Sequence, residues 1–261
     1  MLTENTIPFE WFRYREVLYN ILARELKVKY KRTSLGYLWS LLNPILQMAV
    51  MAFVFSHIVR QGIRDYTQYL FSGFLAWNFF QTTVALSSTA ILENENFIKK
   101  IYLPKLIFPL SRVCARSIDF VLSVVALSVI GIFAGFQYSA SVVCLPLAMA
   151  SVFLMTLGVA IIVSVATVFY RDVQYLIQVF LQLLYFATPI MYPIEMLPEK
   201  YRAWLSLNPF YSQVRVFQAI LYDNRFPTVE EWALALATAV MFWLMGLWIL
   251  KRTEDEIVFR M

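Results

Sequence analysis

The sequence predicts an all-α membrane protein with six transmembrane helices, N-terminus and C-terminus both inside. Three observations predict it. First, six apolar runs divide the chain: Tyr37–Val59, Tyr69–Leu92, Ser117–Phe136, Val142–Tyr170, Val173–Tyr192 and Trp232–Leu250. Each reaches the ~19 residues that a helix needs to cross a ~30 Å hydrocarbon layer. A segment in that layer has no water for its backbone groups, so it must be helical. Second, hydrophobic residues make up 60% of the chain. Third, positive charge alternates across the runs. With the N-terminus in the cytoplasm, sixteen of the 22 Lys and Arg residues fall in cytoplasmic segments and six fall outside. Retention of Lys and Arg on the cytoplasmic side sets this orientation.

Residues 1–36 form a cytoplasmic unit of two parts. Within 8–27, Arg13, Glu16, Asn20, Arg24 and Lys27 recur on one side of a helix, and Trp11, Tyr14, Leu18 and Leu22 on the other. This is the pattern of an amphipathic helix at the membrane interface, or of one packed on a protein partner. The basic run Lys27–Arg32 follows, and Gly36 marks a turn into the first span. Residues 37–261 form the six-helix domain. Its cytoplasmic loop Glu93–Lys105 sets Phe97, Ile98, Ile101 and Tyr102 against Glu95, Lys99 and Lys100. It reads as a solvated loop or as a short helix that docks on a cytoplasmic partner. Residues 193–228 are broken by Pro193, Pro198, Pro209 and Pro227. Ala203–Leu207 and Tyr211–Tyr222 are too short to span and predict interfacial or re-entrant helices at the outer face.

Three runs carry uncharged polar stripes. Ser40, Asn43 and Gln47 lie on the first, and Asn78, Gln81, Thr82 and Ser88 on the second. Gln174, Gln178 and Gln182 lie on the fifth at four-residue spacing, with Tyr185 continuing the face. Residues four apart stack on one helical face. A polar face toward lipid is costly, so these must meet protein or water. Hydrogen bonding between helices is one reading, and a conduit for a neutral, hydroxyl-rich solute is the other. Arg112, Arg116 and Asp119 share a face of the third run, and Arg116 and Asp119 are spaced to pair.

Other classes lack material. Residues 1–36 hold no apolar stretch of signal-peptide kind. The two cysteines, Cys114 and Cys144, predict no disulfide framework and no metal site. His57 is the single histidine, and none of the seven glycines precedes a lysine, so no phosphate-binding loop of the Gly-Lys kind is present. The net charge of +5 belongs to the cytoplasmic collar and predicts no nucleic-acid binding. No catalytic residues are expected, and if the protein uses ATP, another chain binds it and its Mg.

Four stretches resemble the permease subunit of type-2 ABC transporters that export polysaccharides, the group that moves O-antigen, capsule and teichoic acid. They are Lys31-Arg-Thr-Ser-Leu-Gly-Tyr-Leu-Trp-Ser-Leu-Leu-Asn-Pro44, Asn96-Phe-Ile-Lys-Lys-Ile-Tyr-Leu-Pro104, Phe169-Tyr-Arg-Asp172 with Thr188-Pro189-Ile190, and Leu207-Asn-Pro209. Many relatives carry an arginine where this chain has Gln218, and here Arg215 sits one turn earlier. The resemblance implies a homodimer in the bacterial inner membrane, with two copies of a cytoplasmic ABC ATPase subunit. It implies a polyprenyl-pyrophosphate-linked glycan as substrate, most readily O-antigen. The headgroup would meet Arg24, Arg32, Ser34, Gly36 and Tyr37. The first and fifth spans would line the pore through Ser40, Asn43, Gln47, Gln174, Gln178, Gln182 and Tyr185. Asn96, Lys99, Lys100 and Tyr102 would couple to the ATPase. A drug or small-lipid exporter is the alternative within the superfamily. An intramembrane glycosyl- or acyltransferase would need a histidine, a carboxylate pair or a metal at membrane depth, and His57 and Asp119 lie toward opposite faces.

Overall fold

The computed structural model describes residues 14–30, 38–59, 63–101, 103–206 and 208–260. Every regular element among them is helical: α1 (Arg15–Tyr30), α2 (Leu38–Val59), α3 (Ile63–Ser87), α4 (Glu95–Ile98), α5 (Ile107–Phe133), α6 (Leu145–Phe169), α7 (Val173–Phe186), α8 (Glu199–Ser206), α9 (Pro209–Leu221) and α10 (Val229–Arg260). Three are long and apolar enough to cross a membrane: α5, α6 with its preceding 3-10 turn, and α10.

The apolar runs became helices, but several ends moved. α5 starts ten residues before the third run, with Pro109 in its first turn. The backbone donors of a first turn have no partner within the helix, so a proline there costs nothing. It ends at Phe133, and Gly135 beyond it, with a φ of 79°, is the left-handed residue that closes the helix. The Gly135 and Phe136 amides donate back to Ile132 and Gly131. α10 runs ten residues past the sixth run, through a charged tail to Arg260. The fifth run departs most. α7 holds 14 residues and stops at Phe186, because Pro189 has no amide to continue the ladder and disfavours helical geometry at Thr188.

α3 is the hub, in contact with α2, α5, α6, α7 and α9. It carries a buried aromatic core of Tyr66, Phe71, Phe74, Trp77, Phe79 and Phe80. Phe79 stacks on Phe120 of α5 at 4.6 Å, and Phe80 meets Phe210 of α9 at 4.4 Å. α6 and α10 form the most extensive pair. They cross at Gly158 and Gly246, where a Cβ on Gly158 would lie 2.4 Å from the Phe242 backbone. α1 rests on α5, with Val17 and Ile21 turned to the core and Arg15, Tyr19 and Lys27 exposed.

The proline-rich segment forms two short helices, α8 and α9, over much of the expected Ala203–Leu207 and Tyr211–Tyr222. α9 is sunk into the bundle, with Phe210, Gln213, Val214, Phe217 and Gln218 all buried. Asn208 caps its start by accepting from the Phe210 amide at 3.0 Å, followed by Pro209 in the first helical turn. A buried helix end needs partners for its last carbonyls. Ser141 donates to Ile220 O at 3.0 Å, Gln68 to Leu221 O at 2.8 Å, and the Arg225 amide to Ala219 O at 3.0 Å.

Candidate transport path and docking surface

The loop after α3 turns through a 3-10 segment, Leu92–Asn94, into the single turn of α4. The turn is anchored from beneath. Asn94 is buried, donates to Ala90 O at 2.8 Å and accepts from Arg24 of α1 at 2.7 Å. The Arg24 guanidinium also lies 5.5 Å over the Phe97 ring. Arg24 thus ties α1 to the loop, a contact the sequence pattern did not assign to it. Beyond the anchor, Asn96, Phe97, Lys99, Lys100 and Ile101 are exposed. They make a small exposed tip of mixed apolar and charged side chains. Lys99 pairs with Glu95 at 2.5 Å, and this hydrogen bond holds the Glu95 carboxyl below its ordinary range. Tyr102 lies outside the described residues.

Arg112 locks three elements beneath this tip. Its side chain is nine-tenths buried and pairs with Glu93 of the loop and with Glu25 of α1, the latter at 3.6 Å. It also donates to Leu86 O and, at 3.3 Å, to Thr89. Buried Lys105 pairs with Glu254 of α10 at 3.5 Å, tying the far end of the loop to the extended last helix. The sequence grouped Arg112 with Arg116 and Asp119 but gave it no partner. Its partners are 19 and 87 residues away in the chain, beyond any helical spacing. Arg116 and Asp119 do pair, at 3.6 Å.

The polar stripes of the first two apolar runs converge. Asn43 of α2, Asn78 and Thr82 of α3, and Arg116, Asp119 and Ser123 of α5 face a cavity of about 250 Å³. Asn43 is exposed and accepts from Gln47 on its own helix at 3.2 Å. The side chain of Ser40 is outside the described residues, and so are Arg32, Ser34, Gly36 and Tyr37. Part of the second stripe is turned inward: Gln81 accepts from Trp77 at 2.6 Å, and buried Ser88 donates to Ala85 O. On α7, Gln178 and Gln182 are exposed and Gln174 is half-buried, while Leu181 is 1% exposed. The glutamines flank the buried edge of α7, and among the described residues Gln174, Gln178 and Gln182 make no side-chain hydrogen bond to a neighbouring helix. Tyr185 reaches two neighbouring helices: its hydroxyl lies 3.3 Å from Met51 Sδ of α2, and its ring is 5.5 Å from Trp77 of α3.

Past α7, the broken chain is held by Tyr66 and Tyr69, which the sequence did not single out, and by Gln218 and Asn208, to which the sequence assigned no partner. Tyr66 donates to Met191 O at 2.7 Å, and Tyr69 lies within 2.9 Å of Pro189 O and 2.8 Å of Tyr192 O. Gln218 donates to Pro189 O at 3.0 Å, and Asn208 to Thr188 at 2.8 Å. Gln218 is therefore a buried clamp on the Pro189 turn. Arg215 pairs with Asp223 at 2.8 Å and Glu231 at 3.2 Å. Among the described residues no group of three His, Cys, Asp or Glu side chains is placed to hold a metal, and Cys114 and Cys144 are unbridged.

Comparison with known proteins follows this layout. The family model described as ABC-2 type transporter matches residues 16–222. The O-antigen export system permease protein RfbA of Myxococcus xanthus is 32% identical over 249 residues, covering 94% of this chain and 96% of the relative. Its Klebsiella pneumoniae namesake is 30% identical over 240 residues, covering 92% of each. The polysialic acid transport protein KpsM of Escherichia coli is 25% identical over 246 residues, covering 90% of this chain and 92% of the relative.

Proposed function

This chain belongs to the ABC-2 type transporter family, and we propose that it is the membrane subunit of an ATP-driven exporter that moves a polyprenyl-pyrophosphate-linked polysaccharide, in the first place O-antigen, across the bacterial inner membrane. In this reading residues 1–36 form the cytoplasmic interface unit and 37–261 the six-span domain, with 193–228 re-entrant from outside. Two copies face each other, and two ABC ATPase subunits bind ATP and Mg below. The carrying observation is the likeness to O-antigen export permeases over 94% of the chain. The exposed tip at Asn96–Ile101 supports a cytoplasmic partner.

The work of this chain is positional. The tip receives the ATPase stroke, and the Arg112 and Lys105 pairs pass it to α1, α5 and α10. Arg24 is committed to Asn94 and Phe97, which leaves the basic run through Arg32, with Ser34, Gly36 and Tyr37, to meet the anionic headgroup. The uncharged stripes suit a hydroxyl-rich chain rather than an ion. Deleting the gene should make lipid-linked glycan accumulate on the cytoplasmic leaflet, with none reaching the cell surface. Normal surface glycan together with raised drug sensitivity would favour the drug-exporter reading instead.

A further inference from the structure

A second cavity, of about 270 Å³, opens where α9, the outer end of α3 and the broken chain after Pro189 meet. It is distinct from the stripes of α2 and α7 and from the cavity at Arg116. Three tyrosines, Tyr69, Tyr211 and Tyr222, line it, with Glu195, Arg215 and Gln218 between them. Its volume falls below the ~300–1,000 Å³ of drug-sized pockets, which is the scale of one small ring.

We propose that this cavity binds one saccharide unit in the outer half of the protein. The proposal rests on the glycan-export reading above and adds a site to it. The chemistry of the walls selects the ligand class. Aromatic rings offer apolar faces to the C–H side of a pyranose. Tyr69 and Tyr222 stand edge to face at 5.2 Å, so one ring supports the other. Carboxylate, amide, guanidinium and phenol groups together supply acceptors and donors of every kind a sugar hydroxyl can use. Charge disfavours an anion. Arg215 is already matched by Asp223 at 2.8 Å and Glu231 at 3.2 Å, and exposed Glu195 adds a further negative charge. The walls are also fixed in place. Gln218 is 3% exposed and held on Pro189 O at 3.0 Å. Arg202 pins the 195–197 turn by donating to the Glu195 and Leu197 carbonyls at 2.8 and 2.9 Å. A preformed site costs little ordering on binding.

The test is saturation-transfer NMR on the full chain in lipid nanodiscs. The probes are methyl glycosides of hexoses, 6-deoxyhexoses and N-acetylhexosamines, with inorganic pyrophosphate as competitor. At least one glycoside should show transfer that empty nanodiscs lack. Tyr211→Ala should weaken it by roughly tenfold, the scale of losing a stacked ring. Glu195→Gln changes an exposed side chain that the fold does not need, and it should weaken binding while leaving the melting temperature unchanged. Pyrophosphate should not compete. Absence of transfer from every glycoside, unaltered transfer in both folded variants, or displacement by pyrophosphate would each overturn the site. Failure of the export reading shows elsewhere, as normal surface glycan in the deletion strain, and leaves the glycoside result standing on its own.

Discussion

Arg112 joins three elements that are far apart in the chain. Its guanidinium is shared between Glu25 of α1 and Glu93 of the loop, and it caps the Leu86 carbonyl near the end of α3. Arg112→Leu leaves two carboxylates and a carbonyl without their cation. Breaking a fully buried pair costs about 3–5 kcal/mol. The Glu93 side chain is 55% exposed, so water recovers much of that term, and we expect about 1–3 kcal/mol. The check is the melting temperature in detergent, beside ATP turnover in the assembled exporter. Both should fall, and an unchanged melting temperature would remove Arg112 from this role. Glu95 gives a prediction with a sign. Its carboxyl is lowered by the Lys99 hydrogen bond, so the pairing is present above the ordinary glutamate value of about 4.3 and is lost as pH falls through the lower folded value. Carbon-13 titration of Glu95 should place its midpoint below that of a free glutamate, and Lys99→Ala should return it. Equal midpoints in the two proteins would mean that the pair does not form in solution. Of the candidate residues, the geometry set by local spacing was legible: the i,i+3 pair Arg116–Asp119 and the shared exposure of Gln178 and Gln182 on α7. Tyr66, Tyr69 and Gln218 were not, because what they bind is the backbone of a turn more than a hundred residues away for the tyrosines, and 29 for Gln218. Periodicity carries no trace of such partners.

At the scale of elements, the α6–α10 crossing has the least tolerance. A Cβ at Gly158 meets the Phe242 carbonyl carbon and oxygen at 2.4 Å, and one at Gly246 meets Gly158 O at 2.7 Å. Backbone cannot rotate aside as a side chain can, so the helices must part. Small residues at such crossings let membrane helices approach closely. Gly158→Ala should cost about 1–3 kcal/mol through overpacking, although alanine favours helix more than glycine does. A melting temperature equal to or above wild type would contradict that. The exposed tip behaves oppositely. Lys99 and Lys100 are exposed, so changing both to Glu should spare the fold and melting temperature. It should weaken co-purification of the ATPase subunit, and undiminished association and ATP turnover would exclude the tip as its docking site. The six hydrophobic runs located α2, α3, α5, α6, α7 and α10. Their ends were misjudged where charge is paired out of sight. α5 and α10 extend through Arg112 and Glu254, whose partners stabilise charges that composition alone assigns to loops. The fifth run erred the other way, since Tyr192 continues its apolar character while Pro189 ends its helix.

For the whole molecule, the short α7 decides how a conduit could be built. Fourteen residues rise ~21 Å, ~9 Å short of a ~30 Å hydrocarbon layer, and in the proposed six-span arrangement the segment that follows would complete the crossing. That segment is the Pro189 turn with α8 and α9, clamped by Tyr66, Tyr69, Asn208 and Gln218. A single copy leaves Gln178 and Gln182 exposed on α7. Against lipid those amides would be costly, so they should face water or a second copy. An isologous pair of copies would bring two such faces together around one axis. Cysteines at Gln178 and Gln182 in a Cys-free background should then react with small polar thiol reagents supplied from the cytoplasmic side. Their reactivity should rise when a stalled polymer holds the exporter open. A cysteine at Leu181, which is 1% exposed, should react little from either side. Gln178→Leu should impair export while the protein still folds, because leucine is tolerated in a bilayer. If the glutamines instead only tie helices together, Gln178→Leu costs about 0.6–2 kcal/mol of stability and export per folded molecule is unchanged. That result, together with an unreactive cysteine at position 178, would take α7 out of the transport path.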